Sequence, residues 1–164
     1  MRNTGHVLDA MLAYYAGDVR RINHFMKVYG FAKTIGEMEH LSADEQETLE
    51  IAAITHDIGI KNSELKYGSS SGNYQQIEGP PEARKLLASL GLEASRIDRV
   101  SWLIAHHHTY NDIRDIDYQI LVEADFLVNA YEDAMTPSAI NSVRRNVFKT
   151  KTGLMYLERL YISK

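Results

Sequence analysis

Apolar residues in this chain recur at intervals of three and four. Ile22, Phe25, Met26, Tyr29, Ala32 and Ile35 form one such series, which predicts a helix from about 19 to 39 with a single buried stripe. Strand-like alternation is nearly absent. Only Pro80, Pro81 and Pro137 break the chain, so residues 1–79 and 82–136 are open to long helices. Ser42-Ala-Asp-Glu45 is a capping-box pattern, with acids where the positive end of a helix dipole favours them. It opens a second helix, which runs through the apolar Ile51-Ala-Ala-Ile54 and stops near Gly59.

Between residues 62 and 79 the periodicity fails. KYGSSSGNYQQIEG is rich in Gly and Ser and reads as a long loop of the kind that often carries function. Pro80 and Pro81 then mark the entrance to a helix that ends at Gly91. Further helices are expected from about residue 93 through the histidine run, after Asp117, from Thr136-Pro137-Ser138, and over TGLMYLERLYIS at the end. No repeat, low-complexity tract or linker divides the sequence, so the predicted fold class is all-α, a single-domain helical bundle over residues 1–164.

Composition narrows the chemistry. The 164 residues, 45% hydrophobic and 24% charged, suit one globular core. A formal charge of −4 without a basic run argues against a polynucleotide partner. The start lacks the pattern of a signal peptide and no long apolar run follows, so no membrane association and a cytoplasmic location are the expectations. With no cysteine and seven histidines, the strong metal ligands are His, Asp and Glu.

His56-Asp57 ends an almost wholly apolar helix, and Asp125 sits inside Ile120-Leu-Val-Glu-Ala-Asp-Phe-Leu-Val. A carboxylate in such surroundings is tolerated chiefly when it is paired or coordinates a cation. His24 lies in the first long helix, beside Phe25 and Met26. Each has a bland explanation: a hydrogen-bonded His-Asp pair, a satisfied core histidine, or an Asp125 paired with Arg144 or Arg145. Together, on three helices, they are what a cysteine-free divalent site requires.

His24, His56-Asp57 within His56-Asp57-Ile58-Gly59, and Asp125 resemble the H…HD…D signature of the HD-domain superfamily of metal-dependent phosphohydrolases. The resemblance covers about residues 20–133, with the helices of residues 136–164 expected to pack on that region. It implies an all-α bundle with a divalent metal in its core, held by His24, His56, Asp57 and Asp125; Mn, Fe, Co, Ni, Mg and Zn are not ranked by ligand type alone. Alignment with HD-GYP and dinucleoside-tetraphosphate-hydrolysing relatives implies ligands or phosphate contacts at His107 and His108, with His106 behind them. Glu78, before the Gly-Pro-Pro helix start, stands where those relatives have a histidine. It is either a ligand for a second metal, with His107 and Asp57, or a general acid or base. Lys61 matches a phosphate-contacting lysine, although Ile60 separates it from Gly59, and the GYP sequence is missing after His108. Lys66, Arg20 and Arg21 are further phosphate contacts to weigh.

The activity so implied is hydrolysis of a nucleotide or other small phosphate ester by metal-activated water, with Asp57, His107, Glu78 and Lys61 as candidate catalytic groups and one of His106, His107 and His108 protonating the leaving oxygen. Tyr67 and Tyr74, in the expected loop, would be a lid or a base-stacking wall. A non-catalytic metal- or nucleotide-binding sensor and a diiron oxygenase on the same fold are the alternatives. The expected partner is a small phosphate or nucleotide substrate, and a homodimer is compatible with the sequence. His6 and His40 receive no role.

Overall fold

The computed structural model describes residues 3–163, and every element among them is helical. In order they are α1 (Thr4–Tyr14), α2 (Val19–Met38), α3 (Ala43–Thr55), α4 (Ile60–Tyr67), α5 (Gly72–Ser89), α6 (Ala94–His106), α7 (Ile116–Glu132), α8 (Pro137–Asn146) and α9 (Lys151–Leu157), followed by a π-helical turn, Glu158–Ile162. No helix among the described residues is long and apolar enough to cross a membrane.

Two helices form the centre. The second half of α3, Leu49 to Thr55, is apolar or short-chained all round apart from Glu50, and every residue in it is buried; a helix with no polar face has to be enclosed by others. α7 is buried from Asp117 to Ala124 in unbroken sequence, acids included. α2 packs against both, and α6 packs against α3 and pairs with α5 across the turn at Gly91, whose φ is +75°. α9 rests on α7 and α2. In α2, Phe25, Val28, Ala32 and Ile35 are buried, Ile22 and Tyr29 pack on the core edge, and Met26 faces solvent.

Several local signals are realised as helix ends. Ser42 Oγ accepts from Glu45 N, while Glu45 Oε2 accepts from Ser42 N at 3.1 Å, completing the capping box. Thr136 caps α8, with Pro137 as its first residue. α1 lies where the pattern gives no helix signal; its buried stripe is only Val7 and Met11, continued by Tyr15.

The expected loop of residues 62–79 is a correction. α4 and the first two turns of α5 occupy it, only residues 68–71 link them, and Pro80 and Pro81 lie inside α5 instead of at its entrance. The reason is that the first two turns of α5 dock by close backbone approach, and its apolar stripe, Ala83 and Leu87, begins only after the prolines. A Cβ on Gly59 would lie 2.6 Å from Gly79 N, and one on Gly79 would lie 2.7 Å from Ile104 Cγ2. Glycine contacts of this kind leave no periodicity to read. The two prolines remove the donors for the Gln76 and Ile77 carbonyls, a cost the helix bears in mid-course. Tyr67 and Tyr74 do not flank a lid: they stack on each other, centroids 4.1 Å apart and 9° from parallel, joining α4 to α5.

The joint between α7 and the C-terminal helices turns on Glu123, which is fully buried. Its Oε2 accepts from Gln119 Nε2 at 2.5 Å, Lys149 N at 3.2 Å and Thr150 N at 3.1 Å, and its Oε1 accepts from Thr150 Oγ1 at 2.6 Å. Gly153 is required beside it, since a Cβ there would fall 1.9 Å from Glu123 Oε1. Glu123→Ala would strand these donors and is expected to lower stability by about 3 kcal/mol, read as a lower urea midpoint at unchanged slope.

Candidate metal centre

The two buried helices and α2 bring one polar cluster into an apolar interior. His24 projects from the middle of α2, His56 and Asp57 follow the last turn of α3, and Asp125 sits mid-way along α7. His24 Nε2 lies 3.2 Å from His56 Nε2, 3.2 Å from Asp57 Oδ2 and 3.3 Å from Asp125 Oδ1. His56 Nε2 lies 3.3 Å from Asp57 Oδ2 and 3.4 Å from Asp125 Oδ1. His107, the residue that closes α6, places Nε2 3.5 Å from Asp57 Oδ1. Asp125 takes neither Arg144 nor Arg145 as a partner; Arg144 pairs with Glu158.

Hydrogen bonds on the far side of each ring set its tautomer. His56 Nδ1 is 2.7 Å from Ala53 O, His107 Nδ1 is 2.7 Å from Ile104 O, and His24 Nδ1 is 3.0 Å from Glu132 Oε2. These partners only accept, so Nδ1 carries the proton in each neutral ring, and the Nε2 lone pairs face inward. With all three rings neutral, the inward lone pairs and the two carboxylates repel one another unless a cation sits among them, whether a metal or the protons that Asp57 and Asp125 draw onto His24 and His56. Two of the atoms, His107 Nε2 and Asp125 Oδ1, are buried without a hydrogen-bond partner. Bonds of about 2.1 Å to a divalent metal set neighbouring ligand atoms about 3.0–3.4 Å apart, the spacing found among these groups. The donor set fits a divalent cation.

A second group of potential ligands is Asp57, His107 and His108. His108 Nε2 lies 3.1 Å from Gln75 Oε1, which leaves Nδ1 for a cation. Gly72 makes room for this ring, since a Cβ there would come within 3.0 Å of it. Asp57 thus belongs to both groups, and one or two metals are compatible with the arrangement.

Electrostatics follow from burial and crowding. Burial opposes charge on His24, but the Asp125 and Asp57 carboxylates outweigh it and raise the ring's pKa to about 10. His56 is likewise raised against the pull of burial, chiefly by Asp57. Asp57 and Asp125 stay ionised although burial works against them, Asp57 held mainly by His56 and Asp125 mainly by His24. His108 moves the other way, to about 4, because it is buried and sits beside His107. It is neutral at pH 7.

The remaining candidates separate from the cluster. Glu78 joins neither group: it accepts from Lys66 Nζ at 2.9 and 3.1 Å and from Tyr67 Oη at 3.1 Å, and Lys66 holds its carboxyl below the usual range. Lys66 is thereby occupied as well. Lys61 lies over the Tyr14 ring in a neighbouring hollow of about 220 Å³. His106 stacks on Trp102, with centroids 4.0 Å apart. His6 and His40 are exposed, and His40 ends α2 in the left-handed region with φ 60°.

Other supports carried no sequence signal, because their partners are distant in the chain. Tyr15 Oη donates to Asp57 O at 2.9 Å, Tyr118 Oη donates to His106 O at 2.9 Å, and Glu132 links His24 to Lys27, whose Nζ is 2.6 Å away. A cleft of about 480 Å³ opens from His24 and Asp57 to solvent, with Arg20 and Arg21 on its wall. Arg21 is braced by Asp18 and Glu64.

An all-α bundle with a core His/Asp cluster at the foot of a cleft defines the class of protein. The HD domain family model matches residues 21–140, and the chain belongs to that family. The fold is also that of a crystal structure of a predicted HD superfamily hydrolase from an uncultured Thermotogales bacterium. The two share 24% identity and a TM-score of 0.68, over 97% of this chain and 85% of that one. No curated protein matches.

His24→Ala or His56→Ala is expected to abolish metal-dependent thermal stabilisation, whereas His6→Ala and His40→Ala leave it intact. At a metal concentration one hundred times Kd, the gain at stake is about 2.7 kcal/mol. Glu132→Gln, which removes the charge behind His24, should weaken metal binding by about 10–100-fold in calorimetry.

Proposed function

We propose that the protein is a metal-dependent phosphohydrolase acting on a nucleotide or other small phosphate ester. The observation that carries this reading is the convergence of the Nε2 atoms of His24, His56 and His107 on Asp57 and Asp125, a cluster that a cleft presenting Arg20 and Arg21 reaches at His24 and Asp57. A divalent metal held by His24, His56, Asp57 and Asp125 would supply Lewis acidity, lowering the pKa of a water and polarising a phosphoryl oxygen.

The chain's own groups do the rest. The Ala53, Ile104 and Glu132 acceptors lock the imidazoles in place, so that little reorganisation remains when substrate arrives. Arg20, which forms no salt bridge within the protein among the described residues, offers its guanidinium to phosphate oxygens, while the braced Arg21 fixes the wall next to it. His108, neutral at pH 7, is available to a second metal through Nδ1. Glu78, ionised and held by Lys66, is not poised to donate a proton, and Lys61 stands beside the cleft and not in it.

Asp57→Ala should lose bound metal and metal-dependent hydrolysis of p-nitrophenyl phosphate together, the rate falling about a hundredfold or more. Full activity in that variant after stringent metal removal would overturn the reading. Tight phosphate or nucleotide binding with no turnover, across the candidate divalent metals, would point to the sensor instead.

A further inference from the structure

The cleft wall is polar almost throughout: of the residues lining it, only Ile60 is apolar. Five are carboxylates, Asp18, Asp57, Glu64, Glu132 and Asp133, set against the guanidinium groups of Arg20 and Arg21. Such a wall suits hydroxyl groups better than a nucleobase. Base recognition draws on aromatic faces, worth about 1–3 kcal/mol for each stacked base. The aromatic side chains nearby do not line the cleft: Tyr67 and Tyr74 are spent on each other, and Tyr110, near Asp57 and Asp125, packs against Phe126. A polyphosphate chain would also meet more carboxylates than cations on its way in, whereas a single phosphate needs only the metal group and Arg20.

The arrangement along α7 adds a scale. Asp125, Asn129, Glu132 and Asp133 stand at intervals of four, seven and eight, one face of the helix and its C-terminal cap. At 1.5 Å per residue, Asn129 lies about 6 Å and Asp133 about 12 Å beyond Asp125 along the axis, which is the reach of a sugar joined to a phosphate at the cluster. Glu132 is taken up by His24 and Lys27. Neither Asn129 nor Asp133 makes a side-chain hydrogen bond or salt bridge among the described residues, although both line the cleft. Directly across, α2 presents Arg20 one turn from His24.

Resting on the phosphohydrolase reading, we propose that the substrate is the phosphate monoester of a small polyhydroxylated compound, a sugar or polyol phosphate, whose hydroxyl groups are held by Asn129 and Asp133. Metal-loaded enzyme is assayed on ribose 5-phosphate, AMP, ATP and p-nitrophenyl phosphate, and calorimetry measures binding of ribose 5-phosphate and of inorganic phosphate to the same protein. The expected result is a kcat/KM for ribose 5-phosphate about tenfold or more above that for AMP. Asn129→Ala and Asp133→Ala should each raise KM for ribose 5-phosphate about tenfold relative to KM for p-nitrophenyl phosphate, the loss of about one good hydrogen bond. Calorimetric affinity for ribose 5-phosphate should fall by a similar factor relative to inorganic phosphate. Equal or better turnover of AMP or ATP, or variants that shift both KM values alike, would overturn the sugar-phosphate inference while leaving the phosphohydrolase intact. No metal-dependent turnover of any of the four compounds would overturn the phosphohydrolase reading, and this inference with it.

Discussion

Two carboxylates, Asp57 and Asp125, are buried where three helices of a largely apolar interior meet, and much of the structure around them serves to make that tolerable. Ionised groups in such a place need cations or fixed donors around them. Three imidazoles provide them, each anchored through Nδ1 to an acceptor on its own helix or a neighbouring one. The consequence is a set of ring nitrogens that can face only inward. The cluster makes the core expensive without a cation, and the same cost would give it affinity for one.

The backbone around the cluster is held by contacts that have little to do with hydrophobic stripes. Gly59, directly after His56-Asp57-Ile58, lets α5 approach so closely that a side chain on either Gly59 or Gly79 would collide. Tyr15 fixes the Asp57 carbonyl and Tyr118 the His106 carbonyl, which pins the two turns carrying His56-Asp57 and His107-His108. Gln75 and Gly72, at the start of α5, shape the place of His108. Helix α5 therefore serves the site along its first two turns, the region whose composition looks most like a loop.

The cleft divides the labour between two helices. α2 supplies His24 and, one turn earlier, Arg20; α7 supplies Asp125 and, further along, Asn129 and Asp133. On the proposed reading, metal chemistry and recognition are thus built on rigid elements, with the reactive end buried and the selective end open to solvent. Glu132 couples the two helices, binding His24 and Lys27 at once.

Local order was legible in the sequence by itself. Periodicity located α2, and apolar runs located α3 and α7; Ser42-Ala-Asp-Glu45 and Thr136-Pro137 marked helix starts; and the acids and histidines stranded in apolar runs, His24, His56-Asp57 and Asp125, pointed to one cluster in an all-α bundle. What remained hidden depends on pairs far apart in the chain. The burial of Gly59 against Gly79, the capture of Glu78 by Lys66 and Tyr67, the tether of His24 to Glu132 across 108 residues and the self-stacking of Tyr67 with Tyr74 leave no periodic trace. Periodicity records which face of a helix is buried; it does not record which backbone comes close enough to need a glycine, or which charge a carboxylate finally meets. Those outcomes were decided by the tertiary structure, because they belong to the space between helices.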